Sequence, residues 1–466
     1  MATTAADAAS EGLSFIVVGA SVAGLASAIA LSDAGHRVRV LEAAAALGGG
    51  AAVPGCARVP PNAYKILAGW GLEDALRQVA VENAGFGVYK YASDLPGGAR
   101  DLMGLNTWDP ELLEDARGTF MFTTHAALLR LLYARAQSPR VEIRFGAAVA
   151  AVDGAADAPS VTLSSGEVIR GDAVIGADGA RGVVRRMLLD AEEVPRGEEE
   201  EDLGMTIYCS VVPHALAKEH RELDSFYEFP ESTVSMGSGV GAVTDMDENR
   251  DLFFFLYTPS PALAHSGTWT APAPASMAEV IADAPSDGPL KLLASLAGPT
   301  IALPYTTPYD LESWVSESGR VLALGEAAHP LPACALHTYS LALEDALFLG
   351  RVFGHTAAPG RVPELLYAFE EHRRARCASI RGIDAAYIGM ITTPDGPAQA
   401  GRDAMMRANA AAGRNVFQAE GDMQEMLDET RMVFSYDAAD DADEWWVSWG
   451  RYRERAASMS MPQEEE

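Results

Sequence analysis

Residues 15–18 form a short, wholly apolar run, Phe-Ile-Val-Val, of the kind that becomes a parallel strand buried on both faces. A turn of small residues follows, then Leu25, Ile29 and Ala30 at helical spacing, then Gly35 as a helix stop. Residues 37–42 return as a second strand, which completes one βαβ unit. A second α/β stretch starts near Phe120. Residues 128–136 carry helical periodicity and 141–145 alternate as a strand. Residues 160–164 and 167–172 predict a hairpin turned at Ser165-Gly166. Residues 173–175 then run into Gly176-Ala177-Asp178-Gly179.

From Met205 to Tyr257 the pattern turns strand-rich, with strands predicted over 205–212, 225–229 and 252–257. Residues 259–289, rich in Ala, Pro and Ser, read as loops with one short helix. Residues 321–325 predict another buried strand and 339–353 a helix. The chain after about Asp384 reads as helical and irregular, ending in an acidic, disordered 463–466. No internal repeat is visible. Strand–helix alternation at both ends with a strand-rich insert between them predicts an α/β architecture of two domains.

Charge changes this picture in one respect. With 35 Lys+Arg against 65 Asp+Glu, the formal net charge is -30. So acidic a surface repels phosphate backbones and anionic lipids, which argues against nucleic-acid binding. The block at 198–202 (EEEED) reads as an exposed loop. Cys56, Cys209, Cys334 and Cys377 are dispersed, with no metal-ligand spacing and no disulfide framework, which points to a reducing compartment. The N-terminus has no positive region before an apolar stretch. The most apolar stretch, 15–31, is too short and too broken to span a bilayer, so a cytoplasmic protein is expected. Trp445, Trp449 and Tyr452 share a helical face beside Arg451, Arg453 and Arg455 and are expected to dock a C-terminal helix on the core.

Candidate chemistry begins at Gly19-Ala20-Ser21-Val22-Ala23-Gly24, set between strand and helix. Gly19 permits the tight turn, and Gly24 allows helix and strand to pack closely. Ser21 takes the place of the middle glycine. The helix N-terminus then offers unpaired N–H groups and a positive dipole end to a pyrophosphate. Glu42 ends the second strand, where a carboxylate can accept ribose hydroxyls.

Two distant segments extend the motif. Residues 172–185 read DAVIGADGARGVVR, and 319–345 read GRVLALGEAAHPLPACALHTYSLALED. Together with GASVAG, they resemble the three hallmarks of the FAD-dependent aromatic monooxygenases typified by salicylate and 4-hydroxybenzoate hydroxylases. Pro61-Asn62-Ala63 with Gly71-Leu72, Pro394-Asp395-Gly396 and Arg402-Asp403 are similar to further segments of that family. The resemblance implies a discontinuous Rossmann-like FAD-binding domain from 12–75, 107–187 and 302–385. A strand-rich substrate domain would come from 76–106 and 188–301, and a helical C-terminal segment from 386–466. It also implies FAD as cofactor, NAD(P)H as co-substrate, and oxygenation of a small aromatic or polyketide- or terpenoid-like secondary metabolite. Asp178 and Gly179 would border the dinucleotide, with Arg185 on the nicotinamide-facing side and Glu326 beside the ribityl chain. The N-terminus of the helix at 339–353 would face the flavin ring.

This sequence departs from the family at several of these points. Glu326 replaces an aspartate, His125 an arginine, and the loop 335–340 (ALHTYS) has no glycine where family members place several. Glycine there allows positive φ and close backbone approach. Two other readings therefore stand beside the monooxygenase. One is a non-redox cyclase or isomerase using His337 and Tyr339 as acid and base; the other is a non-catalytic binding protein. Tyr208, Tyr227 and Tyr257 are candidate substrate contacts in the strand-rich insert. No metal site and no particular oligomeric state are indicated.

Overall fold

β1 (Ser14–Val18), α1 (Val22–Asp33) and β2 (Arg37–Leu41) form the βαβ unit that the periodicity predicts. The structure is a computed structural model and describes residues 12–49, 55–154, 158–230, 232–259, 272–273, 275–418 and 423–450. A five-stranded parallel sheet runs in the order Val321–Ala323, Ala173–Gly176, β1, β2, Val141–Arg144. β1 is central, with β2 on one side and Ala173–Gly176 on the other. The loops leaving these strands part in opposite directions and open a crevice at their carboxyl ends.

α1 is buried from Val22 to Ser32 because the sheet covers one side and the helix Thr338–Phe353 the other. These helices touch through small residues: a Cβ on Gly350 would lie 2.5 Å from that of Ala30. The hairpin predicted around Ser165-Gly166 is present as Ser160–Leu163 and Val168–Arg170.

A seven-stranded sheet stands against this unit, in the order Ile301–Pro308, Glu200–Val212, Leu252–Pro259, Gly241–Met246, Thr233–Met236, Gly85–Lys90, Asp101–Thr107. Its pairs are antiparallel except Thr233–Met236 with Gly85–Lys90. Alternation along its strands sends residues to two separate cores. Ile207, Cys209, Phe253, Phe255 and Tyr257 pack toward Ile388 and Ile391 of the helix Val362–Ile391. Tyr208, Phe254, Leu256 and Ala302 pack on the opposite face against Leu290 and Leu293.

Three expectations are corrected. The strand predicted over 225–229 is instead the end of a 3-10 segment, Arg221–Phe226, since Leu223 and Phe226 are buried at a spacing of three. The acidic block is exposed as expected, but Glu200–Asp202 already belong to a strand paired with residues 306–308. At the C-terminus Trp445 and Trp446 are buried, whereas Trp449 is 62% exposed. The helix Ala438–Trp445 runs into a π turn, Trp446–Gly450, and the wider turn carries Trp449 off the buried face. Tyr452, the three neighbouring arginines and the acidic 463–466 lie outside the described residues. No helix among the described residues is long and apolar enough to cross a membrane.

Candidate active site

The turn after β1 is held by backbone geometry that side chains would obstruct. Gly19 has φ +100, and a Cβ there would lie 2.5 Å from the Ala177 carbonyl. A Cβ on Gly24 would fall 1.9 Å from the Gly19 carbonyl, so the start of α1 is pressed onto the turn itself. Ser21 caps α1. Its Oγ accepts from the Gly24 N–H at 3.2 Å, and its hydroxyl donates to the Ala177 carbonyl at 2.9 Å, tying the turn to the neighbouring strand. Glu42 closes the other side, accepting from the N–H groups of Ala20 and Ala44 at 2.8 Å each.

These residues form one end of a cleft of about 640 Å³. Asp178 and Gly179 border it on the adjacent strand's loop. One Asp178 oxygen accepts from the Val184 N–H at 3.1 Å, while Oδ1 is buried without a partner. Burial raises the Asp178 pKa. Glu326, on the 3-10 turn Gly325–Ala327, opens its surface to the cleft, yet the protein walls around it still raise its pKa.

The next wall joins two helix N-termini. His125 opens the helix His125–Arg135, and its Nδ1 lies 3.0 Å from the hydroxyl of Tyr339 in the first turn of Thr338–Phe353. That hydroxyl also donates to the Cys56 carbonyl at 3.3 Å. Burial lowers the His125 pKa and raises that of Tyr339, so both are neutral near pH 7. The far end of the cleft is the face of the seven-stranded sheet, with Cys209, Ser210, Phe253 and Phe255, closed by Pro332 and Cys334 of the loop before Thr338.

The fit to a flavin dinucleotide follows from these features. The turn admits no Cβ, the N-terminus of α1 has free N–H groups, Glu42 can accept from hydroxyls, and Asp178 keeps one unpaired oxygen. The loop 335–340 fits without glycine. None of its residues has positive φ among those described; the left-handed position falls one residue earlier, at Cys334, with φ +64.

A family model described as an FAD binding domain matches residues 13–381. This chain belongs to the FAD-dependent aromatic monooxygenases. It is 27% identical over 400 residues to an FAD-dependent monooxygenase of Beauveria bassiana, covering 85% of this chain and 89% of that one. To the 3-amino-4-hydroxybenzoate 2-monooxygenase of Streptomyces cremeus it is 28% identical over 404 residues, covering 84% and 91%. The fold superposes on a salicylate hydroxylase substrate complex with a TM-score of 0.71 at 18% identity, covering 93% and 98%. The monooxygenase therefore carries FAD as its cofactor, in a Rossmann-like domain joined to a strand-rich one and a helical C-terminal region.

Of the site residues expected from sequence, Gly19, Ser21, Glu42, His125, Asp178, Gly179, Glu326 and Tyr339 line the cleft, and Gly24 packs directly behind the turn. His337 does not line it. Its ring is buried, its Nδ1 lies 2.9 Å from Asp384, and it stacks on Phe434 at 5.7 Å, because the N-cap backbone turns it toward the helix Val362–Ile391. Tyr208 and Tyr227 are also misplaced by the expectation. In antiparallel pairs, opposed residues share a face, and Tyr208 opposes Leu256 on the face turned away from the cleft. Tyr227 packs with that outer core, against His214. Tyr257 has the other parity and sits in the same core as Cys209 and Phe255. Arg185 is fully buried, donating to the carbonyls of Ala327, Ala328 and Tyr309, and lies behind the site as a brace.

Sequence reasoning missed Cys56, Cys209, Ser210, Phe253, Phe255 and Cys334. Period-two alternation would have put Phe253, Phe255 and Tyr257 on one face, but which face meets the cofactor is a tertiary fact. It also missed Arg58, whose guanidinium pairs with Asp245 at 2.7 Å, lies 4.9 Å over the Phe255 ring and donates to the Cys334 carbonyl.

Proposed function

We propose that this monooxygenase takes reducing equivalents from NAD(P)H and oxygenates a small, flat, uncharged aromatic or polyketide- or terpenoid-like metabolite. The observation that carries this reading is the continuity of the cleft. It runs from the Gly19–Gly24 turn past Glu326 to the apolar sheet face at Phe253 and Phe255. Bound FAD supplies hydride acceptance from NAD(P)H and the activation of molecular oxygen.

The chain's own residues would bind, orient and exclude water. The N-terminus of α1 meets the pyrophosphate, Glu42 the ribose hydroxyls, and Glu326 the polyol chain. The N-terminus of the helix Thr338–Phe353 directs its positive end at the ring, favouring negative charge on it. Phe253, Phe255 and Pro332 give the substrate end flat apolar walls, while the Ser210 hydroxyl beside them is turned away and spent on the Gly298 and Pro299 carbonyls. Arg58 offers little net charge to that region because Asp245 pairs with it, which favours an uncharged ring over a carboxylate. Tyr257, on the same sheet face, is the one substrate-contact candidate of the three tyrosines that we retain. Tyr339 is retained as the one cleft group of the expected acid/base pair.

The test is the spectrum of the purified protein together with NAD(P)H oxidation against neutral phenols and hydroxybenzoates, using labelled oxygen. Flavin bands, substrate-stimulated NAD(P)H oxidation and label in the product are expected. Turnover that needs neither NAD(P)H nor oxygen would move the protein to the non-redox reading. Binding without turnover would make it a carrier.

A further inference from the structure

Three of the four cysteines, Cys56, Cys209 and Cys334, line the same cleft; the fourth, Cys377, is buried beside Asp345 and Arg373. Cys209 and Cys334 come from distant parts of the chain, and their Sγ atoms lie 3.1 Å apart. That is roughly 1 Å longer than a disulfide bond. Cys209 is fixed on the strand Glu200–Val212, opposite Phe255 and Ile301. Cys334 is held toward it in two ways. Its backbone is left-handed, which few non-glycine residues adopt, and its carbonyl accepts from Arg58, itself anchored by Asp245. Two thiols brought together by a strained residue and an ion pair form a built arrangement, and neither the binding nor the oxygenation chemistry described above uses it.

We propose that Cys209 and Cys334 are an oxidisable dithiol in the cleft wall that closes to a disulfide when a hydroperoxide enters. The inference does not depend on the identity of the substrate. Cys334 is the more exposed thiol and reacts first: its sulfur attacks one oxygen of hydrogen peroxide, giving a sulfenic acid and water. The Cys209 sulfur then displaces the hydroxyl from Cys334, forming the S–S bond and releasing a second water. The dithiol loses two electrons and the peroxide gains them. The Cys334 contact and burial both hold the Cys209 thiol pKa up, so Cys209 stays protonated until its partner is oxidised. The bond links the seven-stranded sheet to the loop before Thr338–Phe353 and stiffens the end of the cleft that carries Phe253 and Phe255.

The experiment treats the FAD-loaded enzyme with graded hydrogen peroxide, alkylates all free thiols after denaturation, and maps the peptides. A cross-linked peptide pair containing Cys209 and Cys334 is expected, with Cys56 and Cys377 still alkylated, activity lost in parallel, and both changes reversed by dithiothreitol. In Cys334→Ser, Cys209 should remain alkylated at the same peroxide dose; Cys209→Ala serves as the second variant, in which Cys334 should stop at the sulfenic or sulfinic acid. Alkylation of both cysteines in peroxide-treated wild type overturns the proposal. So does a disulfide between Cys334 and Cys56, or terminal oxidation of Cys334 with Cys209 untouched. These readouts score the thiols directly and hold whether or not the oxygenation reading survives.

Discussion

The Nδ1 of His125 and the hydroxyl of Tyr339 lie 3.0 Å apart, so one hydrogen bond joins the N-termini of two helices across the cleft wall. The two residues are 214 positions apart in the chain. The bond places the only retained acid/base candidate beside a neutral imidazole. Tyr339→Phe removes this bond and the one to the Cys56 carbonyl, at about 0.5–1.5 kcal/mol each. We expect FAD to be retained and turnover to fall by much less than the 10²–10⁴ that loss of a proton-transferring group costs. A loss in that larger range, at full FAD occupancy, would make Tyr339 the proton carrier.

His337→Ala tests the opposite case. His337 touches Asp384 and Phe434 and stands outside the cleft. Its removal leaves a buried carboxylate short of a partner, a loss of about 1–3 kcal/mol. The melting temperature should drop while turnover per folded, FAD-loaded molecule stays near wild type. A stable variant with abolished turnover would reverse this assignment.

Gly24→Ala should already strip the cofactor, because the added Cβ meets a backbone carbonyl at 1.9 Å that no side-chain rotation relieves. Absorbance at flavin wavelengths, against protein concentration, measures occupancy. Wild-type occupancy in this variant would refute the turn as the pyrophosphate seat.

Glu42→Ala removes an acceptor that holds two backbone N–H groups, at Ala20 and Ala44. FAD affinity should weaken by about 1–3 kcal/mol, the scale of a hydrogen bond to a charged group. Quenching of flavin fluorescence on titration into apoprotein gives the value, and an unchanged affinity removes Glu42 from the site.

Two buried histidines predict opposite pH responses. His36 Nδ1 accepts from the Leu13 N–H at 3.1 Å and its Nε2 faces the Phe353 carbonyl at 2.9 Å, so the neutral ring is fully paired; burial lowers its pKa. The unfolded chain then binds the extra proton more readily, and stability contributed by His36 is present above about pH 6.5 and falls as the pH drops below it. His329 behaves inversely. Burial opposes its charge, but Cys377 and Asp345 outweigh burial and raise its pKa to about 10. Its contribution is full below about pH 6.5 and is lost as the pH rises through about 10. Thermal melting across pH 5 to 10 checks both. His36→Gln should flatten the acid side and Asp345→Asn should diminish the alkaline loss; an acid limb unchanged in His36→Gln would remove His36 as a cause.

Short stretches of chain specify the βαβ unit, the glycine turn with Glu42, and the second and third motifs at Asp178 and Glu326. These are local: a buried strand, a helix start and a glycine-dependent turn are each specified by a few consecutive residues. The same local reading treated the glycine-free loop as an obstacle. The fold resolves it by putting the left-handed backbone at Cys334 and starting the helix at Thr338. Packing between distant elements selects which face of each strand meets the cofactor cleft, and where a side chain at a helix cap turns. Tyr208 and Cys209 are neighbours in sequence with opposite outcomes, because strand side chains alternate and only packing selects the inner face. His337 and Tyr339 part in the same way: two residues apart in a helical turn they point in different directions, one to Asp384 and one to His125.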